Sequence, residues 1–184
     1  MKKKPIIYKI LSLLLMLSMS YSCSSELDFD QVNEFKINPI IVANLTYFDV
    51  PAHEFVTNGV ETNAAFAALN FDAFRDSFFR DNLVRADLFF EITNTINRAY
   101  VIDLVMLNKA DQIVYAINFN VPASSGAPQV VTKTELFQGA KLDLLKQTDK
   151  MGFRLVMPPG TPLTENSPGS LKLRSSATVY MEIE

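Results

Sequence analysis

The alternation of hydrophobic and polar positions has the period of β-structure over most of the chain. From Leu83 onward, Val84, Ala86, Leu88, Phe90 and Ile92 fall on one face of a strand, and Arg85, Asp87, Phe89, Glu91 and Thr93 fall on the other. Asn94 to Arg98 reads as a turn, Tyr100 to Leu107 as the next strand, Asn108 to Asp111 as a second turn, and Gln112 to Val121 as the return. Two hairpins in succession predict a meander. Further strands are predicted over Val130–Phe137 and Met151–Met157. The last strand alternates most cleanly. Leu171, Leu173, Ser175, Ala177, Val179, Met181 and Ile183 share one face, opposite Lys172, Arg174, Ser176, Thr178, Tyr180 and Glu182.

Upstream, Ile40 to Val50 is rich in β-branched and aromatic residues and ends at Pro51, which predicts a strand. Residues 52–63 read as a loop around Asn58-Gly59. Between Ala64 and Arg80 the alanines favour helix and Phe71, Phe74 and Phe78 make a helical stripe, so a short helix followed by a turn is predicted. A second helix, within Gln138–Lys150, places Leu142 and Leu145 on one side and would cross between strands. Proline and glycine make Pro158–Gly169 a loop. The pattern predicts a mostly β fold: an immunoglobulin-like antiparallel sandwich of about seven strands with one short crossover helix, in a single domain over 39–184. No βαβ alternation supports a parallel sheet.

The first residues have a different layout. Lys2, Lys3, Lys4 and Lys9 precede an apolar run from Ile10 to Met19, followed by Ser20, Tyr21 and Ser22. This is the order of a secretory signal. Ten apolar residues make about 15 Å of helix against a hydrocarbon core of roughly 30 Å, too short to span. The approach Ser20-Tyr21-Ser22-Cys23 resembles the lipobox of bacterial lipoproteins, with Ser20 where that family usually has Leu. The resemblance implies that residues 1–22 are removed and that Cys23 carries the lipid. It also implies sorting to the outer membrane, since Ser24 is not the Asp that commonly retains such proteins at the inner membrane. Residues 23–38 then form a lipidated tether, with Glu26, Asp28 and Asp30 close behind the anchor somewhat like the acidic signals for surface display. With the only cysteine acylated, stability must come from the core.

Removing the signal changes the charge. The chain has 17 Lys+Arg and 20 Asp+Glu; loss of four lysines leaves 13 − 20 = −7. No basic patch is visible, which argues against a nucleic-acid partner and leaves the acyl chains to hold the membrane. His53 is the sole histidine, in a loop, so a His-based triad or zinc site lacks its other parts. Asp72, Asp76 and Asp81 alternate with Arg75 and Arg80 in the manner of a salt-bridged surface. Glu26, Asp28 and Asp30 lack a calcium-loop pattern. Lys172 and Arg174 read as solubilising charges. Tyr47, Tyr100, Tyr115 and Tyr180 leave a sugar-stacking site open.

The stretch Glu91 to Arg98, followed by an apolar strand and by Val121-Pro122-Ala123, is similar to the sandwich domains of the late-embryogenesis-abundant type, without their Asn-Pro pair. The whole chain also resembles uncharacterised β-sandwich lipoproteins of Gram-negative bacteria. No catalytic residue, metal site or cofactor is predicted. The expected role is a non-enzymatic binding or assembly module for another envelope protein. Two features suit it: the phenylalanine-rich segment Phe66–Phe90 and the Pro158–Gly169 loop. The alternatives are a small-molecule or glycan binder using a sandwich-end cleft, and a carboxylate-based hydrolase.

Overall fold

The computed structural model describes residues 36–62, 64–71 and 76–183. Eight long strands build the sandwich: β1 (Ile40–Pro51), β4 (Ala64–Asn70), β5 (Leu83–Asn94), β6 (Tyr100–Leu107), β7 (Ile113–Val121), β8 (Gln129–Phe137), β9 (Lys150–Val156) and β10 (Ser170–Met181). A small hairpin of β2 (Val56–Thr57) and β3 (Val60–Glu61) stands apart from them. Its turn residues, Asn58 at φ 52° and Gly59 at φ 74°, have the positive φ values of a two-residue hairpin. The helices are α1 (Ser77–Asn82) and α2 (Ala140–Lys146).

One four-stranded sheet runs β1-β10-β5-β8 and the other β4-β9-β6-β7, with every pairing antiparallel. The pairs β6/β7, β5/β8, β4/β9 and β1/β10 nest around the Asn108–Gln112 turn. The chain is therefore one long hairpin wrapped into two layers, the double Greek key of a jelly roll. The mostly β antiparallel sandwich with a crossover helix is the class expected; α2 carries the chain from β8 in one sheet to β9 in the other. The sandwich has eight strands where about seven were expected, with jelly-roll connections among them.

Three local expectations change. The segment Ala64–Asn70 is a strand, not a helix: it pairs along β9 from Ala64↔Val156 to Asn70↔Lys150, and those pairings override the helical preference of alanine. Phe74 of the predicted stripe lies outside the described residues. Phe71 packs against the core, and Phe78 is on the exposed α1. The predicted meander is also broken, because β5 and β6 belong to different sheets. Of the two hairpins predicted there, β6 and β7 form one. Finally, Val84 points outward and Leu83 inward. The register passes from Tyr180↔Arg85 to Met181↔Leu83, so Val84 is the extra residue of a bulge that reverses the alternation.

The core lies between the sheets. Leu88, Phe90 and Ile92 of β5 and Leu171 and Leu173 of β10 face Ile102, Leu104 and Met106 of β6 and Ile117 and Phe119 of β7. Phe90 and Phe119 meet edge to face across the layers at 5.9 Å, and Phe48 meets Phe153 likewise at 5.6 Å. Two outward charges of β10 are paired: Lys172 Nζ lies 3.0 Å from Asp49 Oδ2, and Arg174 Nε donates to Glu91 at 3.0 Å. At the chain's entry Ile37 bridges Ile183, and Lys36 donates to Glu182.

Candidate functional site

The outward face of the β4-β9-β6-β7 sheet carries a groove of about 570 Å³. The strand period puts Val105 and Leu107 of β6 there, on the side opposite Leu104 and Met106. Both are buried yet belong to no part of the inter-sheet core. On one side stands Phe66 of β4, its ring over Gly152, where an added Cβ would come within 3.0 Å of the ring. On the other stand Ile113 and Ala116 of β7. Phe66 and Ile113 are 59% and 62% exposed, so two large apolar side chains flank an apolar floor.

Charged pairs rim this groove. Asp103 accepts from Asn118 Nδ2 at 2.7 Å and from Arg154 Nε at 2.9 Å. The Asn118 hydrogen bond, seconded by Arg154, holds the Asp103 carboxyl below the ordinary carboxylate range. At the far end Lys150 Nζ donates to Asp111 at 2.6 Å, and that bond raises the lysine's pKa. The groove thus has an apolar centre inside a polar rim.

The second concavity, about 490 Å³, lies at one end of the sandwich among Thr95–Asn97, Ser124–Pro128 and Thr161–Pro168. Its frame is a polar network. Asn94, fully buried, donates through Nδ2 to Arg98 O at 2.7 Å and to Pro122 O at 2.8 Å, and its Oδ1 accepts from Ile96 N at 2.9 Å. Arg98, also buried, donates to Thr161 O at 2.8 Å and to Glu61 Oε2 at 3.2 Å; Glu61 Oε1 accepts from Leu163 N at 2.6 Å. The Pro158–Gly169 loop is thus pinned from beneath. Gly169, at φ +98°, passes so close to Thr95 that a Cβ would stand 2.5 Å from its carbonyl oxygen. A wide third cleft, at the opposite end, is lined by Arg80, Lys109, Lys146 and Asp149 among others.

Few of the residues singled out in the sequence come together. Cys23, Glu26, Asp28, Asp30, Asp72 and Arg75 lie outside the described residues, as do the signal and most of the tether. His53 is exposed, its Nε2 3.5 Å from Glu54 Oε1. Asp76 caps α1, accepting from Phe78 N at 2.8 Å, and Asp81 lies 3.6 Å from Arg80. The four tyrosines are dispersed and none lines the end cleft. Tyr100 is buried, and burial raises its hydroxyl well above the ordinary range. Tyr115 donates to Glu135 at 2.7 Å. Arg85 stacks over Tyr180 at 4.7 Å, and Tyr47 is exposed on β1. The phenylalanine-rich segment divides: Phe90 is core, while Phe66, Phe78 and Phe89 are exposed. The Asn94–Arg98–Glu61 network was not foreseen. Its one local signal was an Asn-rich turn, and its partners are far apart in the chain.

Among the described residues, no three His, Cys, Asp or Glu side chains gather closely enough to hold a metal ion. No described helix is long and apolar enough to cross a membrane. The nested pairings define the molecule as a jelly-roll β-sandwich. The sequence matches no family model and no curated protein. Among solved structures the chain is similar to the VP2 subviral particle protein of infectious bursal disease virus, at 10% identity over 78% of this chain and 32% of that one, with a TM-score of 0.45. It is also similar to a protein from Parabacteroides distasonis described as secreted, at 14% identity over 63% of this chain and 37% of that one, TM-score 0.42. A chain of Desmodium yellow mottle tymovirus matches at 10% identity over 80% of this chain and 90% of that one, TM-score 0.34. The chain spans about a third of the length of the first two.

Proposed function

We propose that the chain is a lipid-anchored, non-enzymatic protein of the Gram-negative cell envelope. It is held at the outer membrane through Cys23 and binds another envelope protein through the groove on the β4-β9-β6-β7 sheet. The observation that carries the binding half is the groove itself, with Val105 and Leu107 at its floor, Phe66 and Ile113 at its sides and two ion pairs at its rim. Such a patch offers a partner's apolar side chain a place to be desolvated, and the ion pairs fix its orientation. The sequence order of lysines, apolar run and Cys23 supports the anchoring half.

The two halves are tested separately. A photo-crosslinking residue at Ile113, in growing cells, should give one reproducible adduct with an envelope protein, and the same probe at Thr132 on the other sheet should not. Equal adducts from both positions, or none from Ile113, would count against the groove. Cys23→Ala should abolish fatty-acid labelling and release the protein from the outer-membrane fraction; undiminished labelling would overturn the anchor.

A further inference from the structure

The hairpin of β2 and β3 turns on the only Asn-Gly pair of the chain, Asn58-Gly59. A two-residue hairpin favours this pair because both positions take positive φ, which glycine adopts freely. The same pair is chemically exposed. Asparagine amides are thermally labile, and a following glycine leaves its main-chain nitrogen free of any Cβ that would hinder its approach to the asparagine Cγ. A Cβ built on Gly59 would meet nothing within 4 Å, so no described segment shields the tip.

Other asparagines are restrained where this one is not. Asn94 is buried with both ends of its amide engaged. Asn108 Oδ1 accepts from Ala110 N and Gln112 N, and Asn118 donates to Asp103. Asn166 is exposed, but the N–H of the following Ser167 donates to Thr164 O at 2.9 Å. Asn58 and Gly59 are both exposed, and among the described residues nothing hydrogen-bonds the Asn58 amide or the Gly59 N–H. Two residue pairs alone, Thr57↔Val60 and Val56↔Glu61, hold the turn in register. The tip is therefore free to bring nitrogen and Cγ together.

We propose that Asn58 is a site of spontaneous modification that loosens the latch at the sandwich end. The Gly59 nitrogen loses its proton to solvent base and bonds to Asn58 Cγ, and the Cγ–Nδ2 bond breaks to release ammonia. Water then opens the cyclic imide at either carbonyl, leaving aspartate or isoaspartate at position 58. One water is consumed, one ammonia leaves, and no oxidation occurs. Isoaspartate carries an extra methylene into the main chain, so a two-residue turn no longer closes on Thr57 and Val60 in the same register. Glu61 follows directly. Its carboxylate holds Leu163 N at 2.6 Å and Arg98 Nη2 at 3.2 Å. Displacing β3 withdraws that carboxylate from a buried guanidinium, which destabilises the fold, and releases the Pro158–Gly169 loop. The inference rests on the hairpin alone and stands apart from the anchor and the groove.

The test is to age the full chain in mildly alkaline buffer and map its peptides by mass spectrometry. Asn58→Gly is aged beside it, because glycine keeps the positive φ but has no amide to lose. The wild type should show the mass shift of an amide-to-acid change at Asn58 before any at Asn166. Part of the product should be isoaspartate, and the rate should rise with pH because the attacking nitrogen must first lose its proton. Aged wild type should melt at a lower temperature than fresh protein, whereas aged Asn58→Gly should melt as it did when fresh. An Asn58 that stays intact while Asn166 converts would overturn the site. Conversion at Asn58 with an unchanged melting temperature would overturn the link to the Glu61 latch.

Discussion

Asn94 closes the passage from one sheet to the other. The chain leaves β5 for β6 through Thr95–Ala99, and the side chain of Asn94 takes the place of a ladder partner for three main-chain groups. Asn94→Ala would leave Ile96 N, Arg98 O and Pro122 O without that partner in a buried site. It should cost about 3 kcal/mol in a urea titration; a loss under about 1 kcal/mol would show that water can substitute. Glu135 sets a different dependence. Burial pushes its carboxyl upward, but the hydrogen bonds from Lys141 and Tyr115 outweigh this and hold it below its ordinary value of 4.5. A depressed folded pKa contributes stability that is present above the unfolded pKa and is lost as pH falls through the folded one. The wild type should therefore exceed Glu135→Gln in stability at neutral pH. The difference should shrink as pH falls below about 4.5, measured by thermal melts across the acid range. A pH-independent difference would refute the assignment.

At the scale of elements, the bulge on β5 predicts how the strand tolerates a deletion. Removing Val84 would restore simple alternation between Leu83, which faces in, and Arg85, which faces out. The loss should be about 1 kcal/mol or less. Removing Phe89 instead would turn either Ala86 and Leu88 or Phe90 and Ile92 to solvent, since one residue of slip exchanges the faces. That variant should fail to show a cooperative melt, whereas the Val84 deletion should melt near the wild type. The strands themselves were legible from composition and period: Tyr100–Leu107 has the expected bounds, and β10 buries the face that alternation along the sequence assigns to it. Ala64–Asn70 was misread because alanines have no strong strand signal of their own, and only pairing with β9 makes them one.

At the scale of the whole molecule, the sandwich class, the crossover helix at 140–146 and the proline-rich loop were implied by periods and breakers along the chain. Each of those is a local property: a strand's alternation, a helix's stripe and a proline's missing N–H depend on neighbours within a few residues. Which sheet a strand joins depends on partners far away, as in β1 with β10 and β4 with β9, and no period records it. The hairpin expected between β5 and β6 therefore became a passage between layers. The same limit separated the two kinds of site evidence. The proposed anchor at Cys23 is written in consecutive residues and can be read without a fold. The groove takes Phe66, Val105, Ile113 and Arg154 from four strands, and the Arg98 latch joins Glu61 to Thr161. Only the tertiary structure could decide these, because burial and ion pairing come from the packing of distant segments rather than from any segment's own composition.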